Sequence, residues 1–363
     1  MHGSGIVKLD GPTIPGLRFR QAEPDDWPAL AGIRERAHAA DGVEEIQSGE
    51  ALRAEWEPLE RFDLGRDVMI AERDGAMVGF VVGTRCERAG VMALETWGAI
   101  APEHRGRGIG TALHRATRRR LAAEAAADPR PGPREFRTYL LDPEVADRAL
   151  VEAEGYQPIR YGFDMRRSLA GELPDHPLPP GLALRPVRPD QHRAIYEADV
   201  EAFRDHWGAP AEPDPGAFLA RFASPETDTS LWCVAWDGGE VAGSVMNAIF
   251  EDENRALGVR RAWLEHVSVR RPWRGRGLAK ALCAASLRHL RERGMHEARL
   301  SVDAANPTGA LGLYEGLGFE VALRWYAYGR PVDQPATVGW RSAGDTPAAS
   351  QAPDAGGASD ARA

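Results

Sequence analysis

Trp263 to Arg293 reads WLEHVSVRRPWRGRGLAKALCAASLRHLRER, and three kinds of local order follow one another in it. Side chains of a strand alternate between two faces, so Glu265, Val267 and Val269 point one way and His266 and Ser268 the other. A short loop follows, Arg274-Gly275-Arg276-Gly277-Leu278-Ala279, with small residues where a backbone must approach a ligand closely. A helix then begins, because Leu278, Ala281, Leu282, Ala285 and Leu290 recur near the 3.6-residue period. Strand, glycine loop and helix N-terminus in that order make an anion site: the first helical N–H groups lack intrahelical partners and the helix dipole favours negative charge there.

The loop is neither the Gly-x-Gly-x-x-Gly of dinucleotide folds nor a P-loop ending in Gly-Lys-Ser/Thr. Arg-x-x-Gly-x-Ala five residues after Val269 resembles instead the pyrophosphate loop of the GCN5-related N-acetyltransferases. Two further features support the resemblance. Downstream, the strand-like Ala298 to Asp303 is followed by Asn306, Ala310, Leu313, Tyr314 and Gly318-Phe319, similar to that family's closing segment. Upstream, Ile100 is followed five residues later by Arg105-Gly106-Arg107-Gly108-Ile109-Gly110, the same hexamer 169 residues earlier (274 − 105).

Laid side by side, the two halves repeat one plan. Gly16 to Arg20 and Gly181 to Arg185 read as first strands, each followed by Pro-Asp and an amphipathic helix. Hairpins from Val68 to Val82 and from Leu231 to Met246 turn at Asp74-Gly75 and Asp237-Gly238-Gly239. Loop and helix come next, Ile109 to about Ala127 and Leu278 to about Arg293, and each half ends on Gly155-Tyr156 or Gly318-Phe319. The repeat reads as two tandem copies of one α/β domain, and the resemblance implies for each a central mixed, mostly antiparallel sheet flanked by helices. We expect an N-terminal arm over 1–15, domains over 16–167 and 181–341, a linker over 168–180 with four prolines, and a disordered tail over 342–363 with little to bury.

Composition narrows the function. The chain has 363 residues, 43% of them apolar, enough for two cores. No run of about 18 apolar residues predicts a membrane span, and residues 1–15 lack the basic start and apolar stretch of a signal peptide. Three widely spaced cysteines, Cys86, Cys233 and Cys283, point to a reducing cytoplasm without a disulfide framework. A net charge of −9 argues against nucleic acid and anionic lipid as partners. No metal site is expected, and the chain reads as a monomer or homodimer. Lys occurs only at Lys8 and Lys280, so Arg carries the basic charge.

The resemblance implies a tandem acetyltransferase over roughly residues 16–335, with acetyl-CoA as co-substrate and a small-molecule amine as acceptor. It places the pyrophosphate on the loops 105–110 and 274–279, held mainly by backbone amides. It gives Asn306 the capping of a short cofactor-facing helix and Tyr314 the protonation of the leaving sulfur. A backbone N–H within Val267, Ser268 and Val269 would stabilise the thioester oxyanion. For the base, Glu265 shares the strand face of Val267 and Val269, although family members often carry the acid two residues earlier, where Trp263 stands here. His266 suits proton transfer but alternation turns it to the opposite face, and water is a third option. Glu251-Asp252-Glu253 either borders the acceptor or is a solvated loop. The first half has Val151 where the second has Tyr314, so it reads as a cofactor binder without turnover or as structural support. The competing readings of the whole chain are a binding module that holds acyl-CoA without transfer, and an enzyme that acetylates a protein amine instead of a small molecule.

Overall fold

The computed structural model describes residues 6–88, 90–210, 212–306, 309–333 and 342. The expected tail, apart from Ser342, lies outside the described residues, as do residues 1–5 of the arm. The first half runs β1 (Ile6–Val7), β2 (Leu17–Gln21), α1 (Trp27–Asp41), α2 (Gly49–Trp56), α3 (Leu64–Asp67), β3 (Val68–Arg73), β4 (Ala76–Arg88), β5 (Val91–Ile100), α4 (Ile109–Ala127), β6 (Arg134–Leu141), α5 (Val145–Ala153) and β7 (Gln157–Ser168). The second runs β8 (Leu182–Leu184), α6 (His192–Phe203), α7 (Ala217–Ala223), β9 (Cys233–Asp237), β10 (Glu240–Ala248), α8 (Glu251–Leu257), β11 (Arg261–Val269), α9 (Leu278–Glu292), β12 (Glu297–Asp303), α10 (Ala310–Gly316) and β13 (Glu320–Pro331).

The two sheets expected from the sequence are joined into one of thirteen strands, ordered β1-β2-β3-β4-β5-β6-β13-β7-β12-β11-β10-β9-β8. Pairing is antiparallel except once in each half, β5 with β6 and β11 with β12. The closing strands cross over. β13 of the second half lies between β6 and β7 of the first, and β7 lies beside β12 of the second. Arg160 on β7 clamps Asp303 on β12 at 2.6 Å, so charge as well as ladder ties one half to the other.

The helix that begins at Leu278 forms because its apolar residues share one stripe. Leu278, Leu282, Leu287 and Leu290 are fully buried in the core over β10, β11 and β12, each contributing about 1.5–3 kcal/mol by burial. Beyond Trp263 the parallel ladder of β11 and β12 stops, its last partners being Trp263 and Arg299. The first half repeats this: β5 leaves β6 after Glu95 pairs with Arg137. Each half therefore opens a V between two parallel strands, with a glycine loop at the mouth.

Candidate active site

The loop of the second half is left-handed at two residues. Gly275 has φ of 73° and Gly277 of 83°, and a Cβ at either would meet nothing within 4 Å, so backbone conformation rather than space demands glycine. Gly277 caps α9, its carbonyl accepting from the N–H of Ala281 at 3.1 Å. The N–H groups of Arg276, Gly277, Leu278 and Ala279 make no backbone hydrogen bond among the described residues. Four donors thus face outward at a helix N-terminus. In the first half Gly106 and Gly108 take φ of 71° and 80°, and Arg107, Gly108, Ile109 and Gly110 offer the same set.

Two arginines of the hexamers do other work. Arg105 and Arg274, expected among the cofactor-binding residues of their loops, turn their side chains inward. Arg274 binds Asp205 at 2.7 Å and the carbonyls of Val269 and Ala202, both at 2.9 Å, while its N–H bonds Arg271. Arg105 binds Asp41 at 2.6 Å and the carbonyls of Ile100 and Ala37, both at 3.2 Å. Each staples its loop to the C-terminal end of the helix after the first strand, where unpaired carbonyls and an aspartate attract a cation. Arg107 and Arg276 are exposed.

Behind the loop, β11 is irregular. β10 pairs Met246 with His266 but Asn247 with Leu264, so Glu265 is the extra residue of a β-bulge. The matching ladder of β4 and β5 runs without a break from Gly79 and Ile100 to Arg88 and Val91. Val267 and Val269 pack toward α9, whereas Ser268 turns its hydroxyl to Ser244 at 3.1 Å on the other face. What Ser268 can offer a cofactor is therefore backbone. Glu265 is exposed on β11, and its pKa is raised, first by desolvation and then by Glu45 and Asp164, against the pull of His266 and Arg221.

Tyr314 on α10 is 7% exposed, edge-on to Phe319 at 6.0 Å. Burial, with the nearby Cys283 thiol adding, holds its pKa far above the ordinary phenol value, so the hydroxyl keeps its proton at any working pH. Asn306 precedes α10, separated from it by Gly309 and by residues 307 and 308, which lie outside the described residues. At the equivalent positions the first half carries Val151, Tyr156 and His114, with Tyr156 Oη 3.2 Å from His114 Nε2.

Sequence reasoning missed the groups that only folding brings together. Asp199 of α6 and Arg221 of α7 both reach His266, at 2.7 and 3.1 Å. Asp199 left one legible signal, a charge on the face of α6 that buries Ile195 and Ala202. The acidic cluster divides: Glu253 is buried, its Oε1 3.8 Å from Arg261 Nε, while Asp252 pairs with Arg255 in solvent. A cavity of about 1000 Å³ lies between the halves, lined by Arg34, Glu45, Trp97, Asp164, Glu226 and Glu253. Glu226 is pushed up to about 7, by burial first and then by Glu55 and Glu265. His114 and Val151 of the first half also line this cavity, whereas neither Tyr314 nor the 274–279 loop does.

A profile of the acetyltransferase (GNAT) family matches residues 192–319, and one of the acetyltransferase (GNAT) domain matches 65–158. A mycothiol acetyltransferase of Geodermatophilus obscurus is 30% identical over 308 residues, 82% of this chain and 92% of its own. The chain belongs to the GNAT acetyltransferase family. It carries two GNAT domains in tandem and is an acyltransferase by that membership. A mycothiol acetyltransferase of Nocardia farcinica is 31% identical over 88% of this GNAT chain and 95% of its own. Among solved structures, a GCN5-related N-acetyltransferase from Sphaerobacter thermophilus superposes with a TM-score of 0.66 at 28% identity, covering 89% of this chain and 98% of that one. A tandem GNAT protein from the clavulanic acid pathway shares the fold, with a TM-score of 0.61 at 18% identity over 88% and 99% of the two chains. No helix among the described residues is long and apolar enough to cross a membrane.

Proposed function

We propose that this GNAT protein transfers an acetyl group from acetyl-CoA to a primary amine of a small molecule, directly in a ternary complex, with the chemistry in its second half. One observation carries the reading. Only the second half combines the outward N–H cradle, a bulge at Glu265 beside the splayed strand, and a buried phenol on the helix after β12. The cradle and Arg276 would hold the pyrophosphate, and the edge of Val267 to Val269 turned from β10 would donate to the thioester oxygen as it gains charge. Glu265, beside the splayed strand, would hold the acceptor's ammonium group by charge until its proton is lost. The free amine attacks the carbonyl carbon, the carbon–sulfur bond breaks, and Tyr314 protonates the sulfur.

The preference for a small acceptor over a protein chain rests on the relatives, two of which carry the name mycothiol acetyltransferase, and not on the cavity, which Tyr314 and the second loop do not line. The relatives' names point to mycothiol, but Trp263 stands where the family often has a carboxylate, so the acceptor's identity is not carried across. The reducing cytoplasm expected from the cysteines fits acetyl-CoA as donor. A second reading, acyl-CoA binding without turnover, is favoured only by the first half, whose cradle matches the second while Val151 replaces the phenol.

The test is Tyr314→Phe. We expect kcat to fall by about 100-fold, within the usual range for a lost general acid, with the acetyl-CoA Kd unchanged by calorimetry. Unchanged turnover would remove Tyr314 from the mechanism.

A further inference from the structure

The proton that leaves the amine needs a destination, and the strand that carries Glu265 also carries His266, whose surroundings are unusually well defined. Its Nδ1 lies 2.7 Å from Oδ2 of Asp199 on α6. Its Nε2 lies 3.1 Å from Nη2 of Arg221 on α7. A carboxylate only accepts and a guanidinium only donates. The two partners therefore fix one neutral tautomer: Nδ1 carries the hydrogen and Nε2 carries the lone pair. Asp199 is 3% exposed, and beside His266 and Arg221 the Ser268 hydroxyl on β11 also lowers its pKa. Burial alone would raise the Asp199 carboxyl, but the adjoining His266 and Arg221 outweigh it and hold it below its ordinary value, so it stays ionised.

The arrangement is an imidazole oriented and backed by a buried carboxylate, with its basic nitrogen turned toward the helix that borders the cleft. Ala217 at the start of α7 and Glu226 just beyond its end both line the cavity between the halves. The other charged or titratable groups near the imidazole are Glu265 next to it on β11, and His206 beyond Phe203, whose ring is 4.9 Å from that of His266. Met246, its partner on β10, brings no charge. In the first half Trp97 stands at the corresponding strand position, so the pair has no counterpart there.

Resting on the N-acetyltransfer reading, we propose that His266 takes the acceptor's proton at Nε2, with Asp199 as its positioning residue and Glu265 as the carboxylate that holds the ammonium until it is lost. Arg221 occupies the lone pair before the acceptor arrives and gives it up to the amine. One proton passes from the ammonium to Nε2 and on to solvent; the proton shed by nitrogen after attack replaces the one Tyr314 gives to sulfur. No oxidant or further reactant is needed.

The experiment is the pH dependence of kcat and KM, read as thiol release from acetyl-CoA with glucosamine, serinamide and cadaverine as amines, for wild type, His266→Gln, Asp199→Asn and Glu265→Gln. Calorimetric acetyl-CoA affinity serves as the folding check on each variant. His266→Gln is expected to lose about 100-fold in kcat and the acidic limb of the profile, in the range of a missing general base. Asp199→Asn, which can present an amide N–H to Nδ1 and so reverse the tautomer, is expected to lose at least about 10-fold with normal acetyl-CoA binding. Glu265→Gln should raise KM and keep the limb. A limb that survives in His266→Gln and vanishes in Glu265→Gln overturns the assignment while leaving N-acetyltransfer intact. No amine-dependent release by wild type with any of the three overturns the N-acetyltransfer reading, and this assignment with it.

Discussion

His114 of the first half stands where Cys283 stands in the second, and both are buried against a ring of the closing segment. The imidazole is held neutral: burial first, then Arg118, depresses its pKa to about 4. Unfolding releases it to its ordinary value near ~6.5, so the unfolded chain binds an extra proton between those limits. The stability it contributes is complete above about pH 6.5 and is lost as the pH falls toward 4, about 3 kcal/mol in all. Denaturant titrations from pH 7 to pH 4 should show that slope in wild type and a flatter one in His114→Gln; equal slopes would mean the imidazole is hydrated in the folded state. The arginines of the second loop separate by role in the same way. Arg274→Ala should lower the melting temperature, since bonds from a charged group to Asp205 and two carbonyls are worth about 1.5–3 kcal/mol each in favourable cases. Arg276→Ala should leave stability alone and weaken acetyl-CoA binding in a salt-dependent manner, measured by calorimetry at two ionic strengths. The reverse pattern would return Arg274 to the phosphate.

At the scale of elements, much was legible. The helix expected from Ile109 to about Ala127 has those bounds, and the one from Leu278 ends at Glu292, because an apolar stripe and a preceding glycine fix a helix by local rules. The Asp74-Gly75 turn was equally plain, both residues having positive φ. The bulge at Glu265 was not legible. It is the mismatch between two strands, and nothing within WLEHVSV records how many residues β10 sets against it. The inward side-chain bonds of Arg105 and Arg274 were not legible for a related reason: their partners Asp41 and Asp205 lie 64 and 69 residues away in sequence. Asp199 was visible as a charge on a buried helix face, but its partner His266, 67 residues on, was not.

At the scale of the whole molecule, the repeat points to two tandem domains, and the closing strands join their sheets into one. β13 completes the sheet beside β6, and β7 completes it beside β12, so each half expressed alone would expose the ladder edge of β6 or β12. Trp207, between the guanidinium groups of Arg137 and Arg160 at 5.1 and 5.2 Å, adds a second tie from the loop after α6. Residues 1–180 and 181–363 produced separately should be poorly folded by circular dichroism, yet co-purify as a folded pair when produced together. Two independently folded halves would mean that the strand exchange is dispensable. The claim that transfer belongs to the second half meets its most direct test in amine-dependent thiol release from acetyl-CoA by Gly108→Glu and Gly277→Glu, each placing a carboxylate at one cradle. Gly277→Glu is expected to abolish turnover and Gly108→Glu to retain it. Turnover that survives Gly277→Glu and disappears with Gly108→Glu would contradict it and move the active site to the first half.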